Sequence, residues 1–371
     1  MSDAWIGTVT AAAPRYFKGA MDATIRKRLI LAMLLKRGNI IMNYRGSHES
    51  KFDVDYKEPP VEQFGDGGQV TYERNDYLKQ GTIDWRGYKA SDEMTIKERE
   101  ETRGGDYVLV DRYKRIFPKL RKAIKNQIGL EFYVDGYASG NENRFCGIES
   151  FCGAGTCLVG DMVAQPSDTY FGLSTALNQS GRWSADAVDS PNATVATDWP
   201  LGEGSTDYDY WSPKLANVVT TDARWSTTAT WAANCKLALR DVIQWLALTA
   251  GVESTSLMAM LSGDYMSTFK ASFDSSSRVW VPHKESEMLG FPTVLNFEGC
   301  GVHTEFGIST ARGYVLNVDE VELCMLGKDI VSTVGPTWDP NSASWKFLAY
   351  CFGNFKFMPR HVAKLYPYAA A

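Results

Sequence analysis

The sequence predicts an α+β fold. One long stretch, Gly105 to Gly136, repeats its apolar residues at the three- and four-residue spacing of a helix face. The block before it, residues 56–103, alternates apolar and polar residues as strands do. The chain after it breaks into shorter strand-like and helical pieces and ends in an aromatic and aliphatic run from Trp345 to Leu365.

Residues 1–55 form an N-terminal arm. Within it, Asp22 to Lys36 sets Ile25, Leu29, Ala32, Met33 and Leu35 among Arg26, Lys27, Arg28, Lys36 and Arg37, which predicts an amphipathic helix closed by Gly38. Two roles stay open for it: packing on its own domain, or docking on a neighbour.

Residues 56–103 form an extended hairpin. Val70 with Tyr72, Ile83 with Trp85, and Met94 with Ile96 alternate with polar neighbours, and the polar segment Glu73 to Gly81 supplies a tip. Two long strands do not stabilise themselves in water, so the hairpin must lie on something. Its charges read equally as a solvated face, but Ile83, Trp85 and Tyr88 make an apolar patch on an element expected to be too thin to bury it. Tyr72, Arg74, Ile83, Trp85, Arg86 and Tyr88 are therefore candidate subunit-contact residues. On this reading, replacing 72–94 by a Gly-Ser turn spares the fold.

Along the long helix, Leu109, Tyr113, Ile116, Phe117, Leu120, Ile124 and Ile128 share one face. Arg112, Lys114, Arg115, Lys119, Arg121, Lys122 and Lys125 lie opposite, with Asp106 and Asp111 near the N-terminus where the helix dipole favours them. Pro118 predicts a kink near Phe117, or two abutting helices. At about 1.5 Å per residue the element is a strut roughly 40 Å long.

Beyond it, strand-like pieces appear at Asn143 to Phe151 and Leu215 to Thr220, with an insertion between Trp183 and Trp211. Trp231 to Ala250 reads as a helix stopped by Gly251. Ser256 to Ser272 and Ser286 to Phe297 read as short strands and helices, and Tyr314 to Leu316 and Val321 to Leu326 as two strands. Trp345 to Leu365 reads as a strand buried in a sheet.

With 371 residues, 44% hydrophobic and 22% charged, the chain can build two or three core-bearing units. A net charge of -5 gives no global basic footprint, so any nucleic-acid contact is expected to be local and weak. Basic residues crowd the strut, while Asp186 to Asp222 is almost purely acidic. Seven cysteines without a C-x-x-C pair are expected to be reduced and mostly buried, in a protein assembled in a cytoplasm. Neither a signal peptide nor a membrane span is expected.

No catalytic, metal or cofactor site is expected. His48, His283, His303 and His361 show no ligand spacing, and Cys146, Cys152 and Cys157 fit no zinc or iron–sulfur pattern. Gly65 to Val70 lacks the Lys of a phosphate loop, and Glu203, Asp207 and Asp209 read as an acidic turn.

The order of motifs carries a resemblance. Trp85-x-x-Tyr88, a strand from Glu93 to Lys97, Gly104-Gly105, the strut, Tyr133 with Asp135-Gly136, Gly147-Ile148, Gly290-Phe291-Pro292, Tyr314-Val315-Leu316-Asn317 and Pro359-Arg360 together resemble the major capsid proteins of tailed bacteriophages, from about Gly67 to the C-terminus. The resemblance implies the Hong Kong 97-type fold: arm (1–55), E-loop hairpin (56–103), P-domain (104–237 and 341–371, with spine helix 106–133) and A-domain (238–340). It implies hexamers and pentamers tiling an icosahedral head shell around double-stranded DNA, in a virion assembled in the host cytoplasm. Scaffold and portal proteins are implied partners, with a decoration protein as a further candidate, no membrane and no enzymatic role. Arg26, Lys27, Arg112, Arg115, Lys119 and Lys122 become candidates for a basic lumen-facing surface touching DNA weakly. With the chain starting at Met1, no N-terminal scaffold segment is expected to have been cut away, as happens in some relatives. The rivals are an encapsulin-type shell around enzyme cargo and, from another class, a carbohydrate-binding or carbohydrate-active protein using the Trp-rich acidic middle.

Overall fold

The computed structural model describes residues 28–42, 49–55, 63, 72, 74, 78–102, 112–152, 169–175, 211–218, 230–274, 284, 288 and 294–367. Among these the chain forms, in order, α1 (Leu29–Arg37), β1 (Ile40–Ile41), β2 (Glu49–Asp55), β3 (Leu78–Asp84), β4 (Arg86–Thr95), α2 (Ile96–Thr102) and α3 (Arg112–Glu131). There follow β5 (Thr169–Tyr170), β6 (Leu173–Ser174), β7 (Lys214–Asn217), α4 (Trp231–Ala250), β8 (Leu257–Leu261), α5 (Gly263–Asp274), β9 (Leu295–Phe297) and β10 (Cys300–Thr304). The last elements are β11 (Gly313–Asn317), β12 (Glu322–Met325), β13 (Ser332–Asp339), β14 (Ser344–Lys356) and β15 (Val362–Tyr366). The fold is α+β, and the chain divides into two units. One holds described residues of 89–126 and 331–350, the other those of 28–88, 127–330 and 351–367, so that α3 is divided after Asn126 and β14 after Tyr350.

The larger unit is built on a six-stranded sheet in the order β7-β15-β11-β8-β10-β9. Alternate residues of its strands, Leu257, Ala259, Leu261, Val315, Ala363 and Leu365, pack with Leu239, Val242, Trp245 and Leu246 of α4 and Phe269 of α5. The intervening Met258, Met260, Tyr314 and Leu316 are buried too, so both faces are covered. Burying each such side chain is worth about 1.5–3 kcal/mol. Helix α4 keeps the bounds that its apolar spacing predicts, and Gly251 ends it in the left-handed conformation.

This sheet changes the expected ending of the chain. Trp345 to Leu365 is two strands separated by a turn at Pro359, not one, and they join different sheets. β15 pairs antiparallel with β11 and parallel with β7, so one sheet unites strands from both sides of the boundaries expected near residues 237 and 340. Its neighbour β14 belongs to a five-stranded sheet in the order β1-β12-β14-β13, to which β4 is added through β14. Strand β13 closes that order and is largely exposed, and its register shifts around Gly335-Pro336, between Val334 and Thr337.

In the smaller unit α3 runs unbroken through Pro118, which corrects the expectation of two abutting helices. Pro118 is exposed. On the other side Phe117 meets Phe347 edge-on at 5.3 Å. A strand predicted over Glu93 to Lys97 ends at Thr95, where α2 begins. The Thr95 hydroxyl accepts from the Glu98 amide at 3.3 Å, and the Glu98 carboxylate accepts from the Thr95 amide at 3.2 Å. This reciprocal cap favours helix over strand.

The described residues of the arm, 28–42 and 49–55, belong to the larger unit. Helix α1 buries Leu29, Ile30, Met33 and Leu34, while Leu35, expected on the buried face, is exposed. Of its two open roles, packing on its own unit is the one observed. Strand β2 pairs antiparallel with β3 from Glu49↔Asp84 to Asp55↔Leu78, so the first strand of the hairpin precedes residue 56. Val70 lies outside the described residues, and Tyr72, expected beside it in the first strand, is exposed. One hairpin face is buried within the chain: Val54 is 8% exposed and Ile83 0%. Phe52 lies over Gly81 and meets Phe171 and Trp211 at 6.0 and 5.9 Å. Replacing 72–94 would therefore remove a core strand with Ile83 and most of β4 with fully buried Met94, and is not expected to spare the fold.

The predicted strand Asn143 to Phe151 is instead a loop ending in a single 3-10 turn at Ile148–Ser150. Its backbone groups are used elsewhere: Gly147 donates to the Val134 carbonyl at 3.0 Å and Ile148 to that of Phe132 at 2.9 Å. A Cβ on Gly147 would lie 2.3 Å from the Glu131 carbonyl oxygen and 2.6 Å from that of Phe132. Neither is a side chain that can swing away. Gly147→Ala is therefore expected to destabilise the protein by about 1–3 kcal/mol, seen as a lower denaturation midpoint with unchanged slope; an unchanged midpoint would mean that this approach is not tight.

Candidate assembly surfaces

The hairpin reaches the end of α3 through side chains at the start of β4. Only Trp85 separates β3 from β4. Arg86 then donates from Nη1 to the carbonyls of Gly136 and Arg144, both at 2.6 Å, and of Asn141 at 3.3 Å, with its guanidinium over the Tyr137 ring at 5.3 Å. Tyr88 packs against Phe145 at 5.0 Å and accepts from the Phe145 amide at 3.3 Å. Burial and the neighbouring Glu131 carboxylate hold the Tyr88 phenol well above its ordinary pKa.

Glu131 is completely buried and would be costly alone. Arg144 pairs with it in a fork, Nε to Oε2 at 3.0 Å and Nη2 to Oε1 at 2.9 Å. Asn354, also fully buried, takes the Cys146 amide on Oδ1 at 2.7 Å and gives Nδ2 to the Asp84 carbonyl at 3.0 Å. The hairpin base, the loop after α3 and β14 thus meet around one amide.

A second buried cluster joins α1 to the exit of α3. Tyr133 donates to Glu305 Oε2 at 2.7 Å, and Arg28 donates to the Phe306 carbonyl with its guanidinium 5.4 Å from that ring. The Tyr133 hydroxyl, nearby Arg28 and the amides at the start of α1 favour the Glu305 carboxylate, yet burial dominates and pushes its pKa up to about 7. Under the six-stranded sheet Lys364, 3% exposed, reaches Glu149 at 2.7 Å and the Cys152 carbonyl at 3.0 Å.

The structure separates the candidate contact residues. Tyr72, 92% exposed, and Arg74 are open to solvent; Trp85 is half-buried; Ile83 is sealed in the core, and Arg86 and Tyr88 are committed to the loop after α3. The premise of an exposed Ile83–Trp85–Tyr88 patch is corrected, because the body of the hairpin is buried by Phe52, Phe171 and Trp211. Of the basic candidates, Arg26 and Lys27 and the side chain of Arg112 lie outside the described residues. Arg115, Lys119 and Lys122 fall at helical spacing on one side of α3, with Lys119 exposed and the other two half-buried. No acidic residue occurs from 112 to 130.

Sequence reasoning missed Glu131, Arg144, Asn354 and Glu305. A signal existed for the first: Glu131 follows Ile124 and Ile128 on the apolar stripe, and a carboxylate there needs a buried partner. Among the described residues no group of three or more metal-ligating side chains comes together, and no helix is long and apolar enough to cross a membrane.

No protein-family model and no curated protein matches the chain. Solved structures do. The fold matches the capsid of a native GTA particle at a TM-score of 0.58 and 10% identity, covering 100% of each chain. It matches the capsid asymmetric unit of Cyanophage A-1(L) at 0.57 and 12%, covering 96% of this chain and 97% of that one. For the capsid of Myoviridae Phage XM1 the values are 0.54 and 9%, covering 95% and 96%. The chain has the fold of phage capsid proteins.

The Glu305 cluster makes a pH prediction. A carboxyl titrating near 7 in the fold and near 4.5 when free binds more protons folded than unfolded between those values. Its contribution to stability is full below about pH 4.5 and is lost as pH rises through about 7. His303 and His361, lowered by burial to about 4, act oppositely from 4 to 6.5, equally in wild type and variant. Relative to Glu305→Gln, wild type should lose about 2–3 kcal/mol between pH 5 and 8 in urea denaturation; a pH-independent difference would show that the carboxyl is ionised throughout.

Proposed function

We propose that this protein is the major capsid subunit of a tailed phage, self-assembling into the icosahedral head shell around double-stranded DNA. The observation that carries this reading is the fold match running end to end, 100% of both chains in one case, to capsid proteins. On this reading the hairpin β2–β3 with the 56–77 segment is the E-loop and α3 the spine helix. The six-stranded sheet with α4 and α5, C-terminal strand included, is the A-domain, and the five-stranded sheet with α3 the P-domain. The subunit is a structural component of the virion with no catalytic role, assembled in the host cytoplasm as hexamers and pentamers with scaffold and portal proteins, and a decoration protein is a further candidate partner.

Among the described residues of the hairpin, Tyr72 and Arg74 are exposed and able to touch a neighbour, with half-buried Trp85 at its base. Arg115, Lys119 and Lys122 carry the local positive field in a chain of net charge -5, the right scale for weak, non-specific contact with DNA. Lys119→Glu with Lys122→Glu should leave the fold intact and lower salt-sensitive DNA retention; retention that is unchanged would remove this face from the lumen.

Size exclusion and negative-stain microscopy of the purified protein test the main reading. Capsomeres or megadalton shells are expected, and a sharp monomer across a wide concentration range would sink it. Shells carrying enzyme cargo and no DNA would move the assignment to an encapsulin. Replacing only 56–77 by a short Gly-Ser turn keeps β2 and β3, and should preserve the circular dichroism of the subunit while abolishing shells. Normal shells from that variant would mean that the hairpin tip is not an interface.

A further inference from the structure

We propose that Arg86 is a positioning residue: it sets the direction in which the β2–β3 hairpin leaves the loop after α3, and thereby where the hairpin meets a second copy of this chain. The second half rests on the capsid reading; the first does not. From sequence alone Arg86 looks like a contact between subunits, but its guanidinium is turned into its own chain. One Nη1 group serves three carbonyls, those of Gly136, Asn141 and Arg144, which gathers the loop from both ends. Gly136 admits it because a Cβ there would lie 2.8 Å from Nη1.

The same loop is tied to the hairpin by two other routes. Tyr137, under the Arg86 guanidinium, accepts the Phe171 amide on its hydroxyl at 3.0 Å, and the Phe171 carbonyl accepts the Thr82 amide of β3 at 3.0 Å. Asn354 joins the Asp84 carbonyl to the Cys146 amide. Hairpin, Phe171, Tyr137, loop and Arg86 therefore close a ring in which Trp85 is the single residue between β3 and β4. A hairpin held this way tilts only by changing the backbone of Trp85 or by breaking one of these ties. Arginine suits the position because its planar, permanently charged head can stack on a ring while donating sideways, which lysine does not reproduce.

The test reads hydrogen exchange of the Leu78–Asp84 amides in unassembled subunits, and particle diameter by negative-stain microscopy, for Arg86→Met, Arg86→Lys and Tyr137→Phe. Arg86→Met should keep the circular dichroism spectrum, exchange those amides about tenfold faster, and yield particles of mixed diameter or none. Arg86→Lys should fall between it and wild type, and Tyr137→Phe should speed Thr82 exchange. Unchanged exchange in folded Arg86→Met overturns the proposal; if that variant does not fold, unchanged exchange in Tyr137→Phe does so. Faster exchange with particles of normal diameter overturns the assembly role. If wild type forms no particles, the capsid reading falls and takes the assembly role with it, while the exchange data still decide whether Arg86 holds the hairpin.

Discussion

Position 147 has room for hydrogen and nothing larger, because the carbonyl oxygens of Glu131 and Phe132 stand within 2.6 Å of where a Cβ would be. The chain leaving the long helix is therefore folded back onto the helix's last turn, and everything from Val134 to Cys146 becomes a loop pinned at both ends. That closure carries Arg144 to the buried Glu131 carboxylate, presents three carbonyls to Arg86, and sets the Cys146 amide against Asn354. Hairpin, helix exit and β14 derive their arrangement from one backbone contact.

Several polar groups are buried among the described residues, and their treatment differs. Glu131 is matched by a two-point guanidinium fork, and Lys364 by a carboxylate and a carbonyl. Such pairs offset their desolvation without adding much net stability, but they reject alternative packings in which one partner would be stranded. Burial lifts the Glu305 carboxyl to about 7 against the pull of the Tyr133 phenol and nearby Arg28, which leaves it near neutrality. The buried thiols are the inert counterpart: burial pushes Cys300 and Cys324 up to about 12, far from the thiolate that reacts or binds metal.

The long helix, helix α4 and the strands β7 and β11 of the six-stranded sheet were legible in the sequence because their apolar patterning is local, and Gly251 marks the end of α4. The reciprocal Thr95–Glu98 cap was equally legible and was outweighed by a two-residue alternation of Met94 and Ile96 that is too short to decide between strand and helix. What could not be read was pairing at long range. Nothing near residue 50 says that it lies beside residue 83, and nothing in the aromatic ending says that Pro359 divides it between two sheets. Nor could the sequence say that Ile83 would be sealed in the core and Tyr88 set against Phe145, which leaves Trp85 half-buried and Tyr72 exposed among the candidate contact residues.

Strand β13 closes one side of the five-stranded sheet with most of its residues in solvent, an arrangement that ordinarily invites backbone pairing by another chain. Pro336 has no amide hydrogen to offer, and the register slips beside it, so the rim carries no continuous ladder for an incoming strand. Strand-upon-strand addition at that rim would meet a break at Pro336. A strand laid along this rim would find its ladder interrupted at one imino acid, the kind of break that discourages open-ended stacking of sheet on sheet.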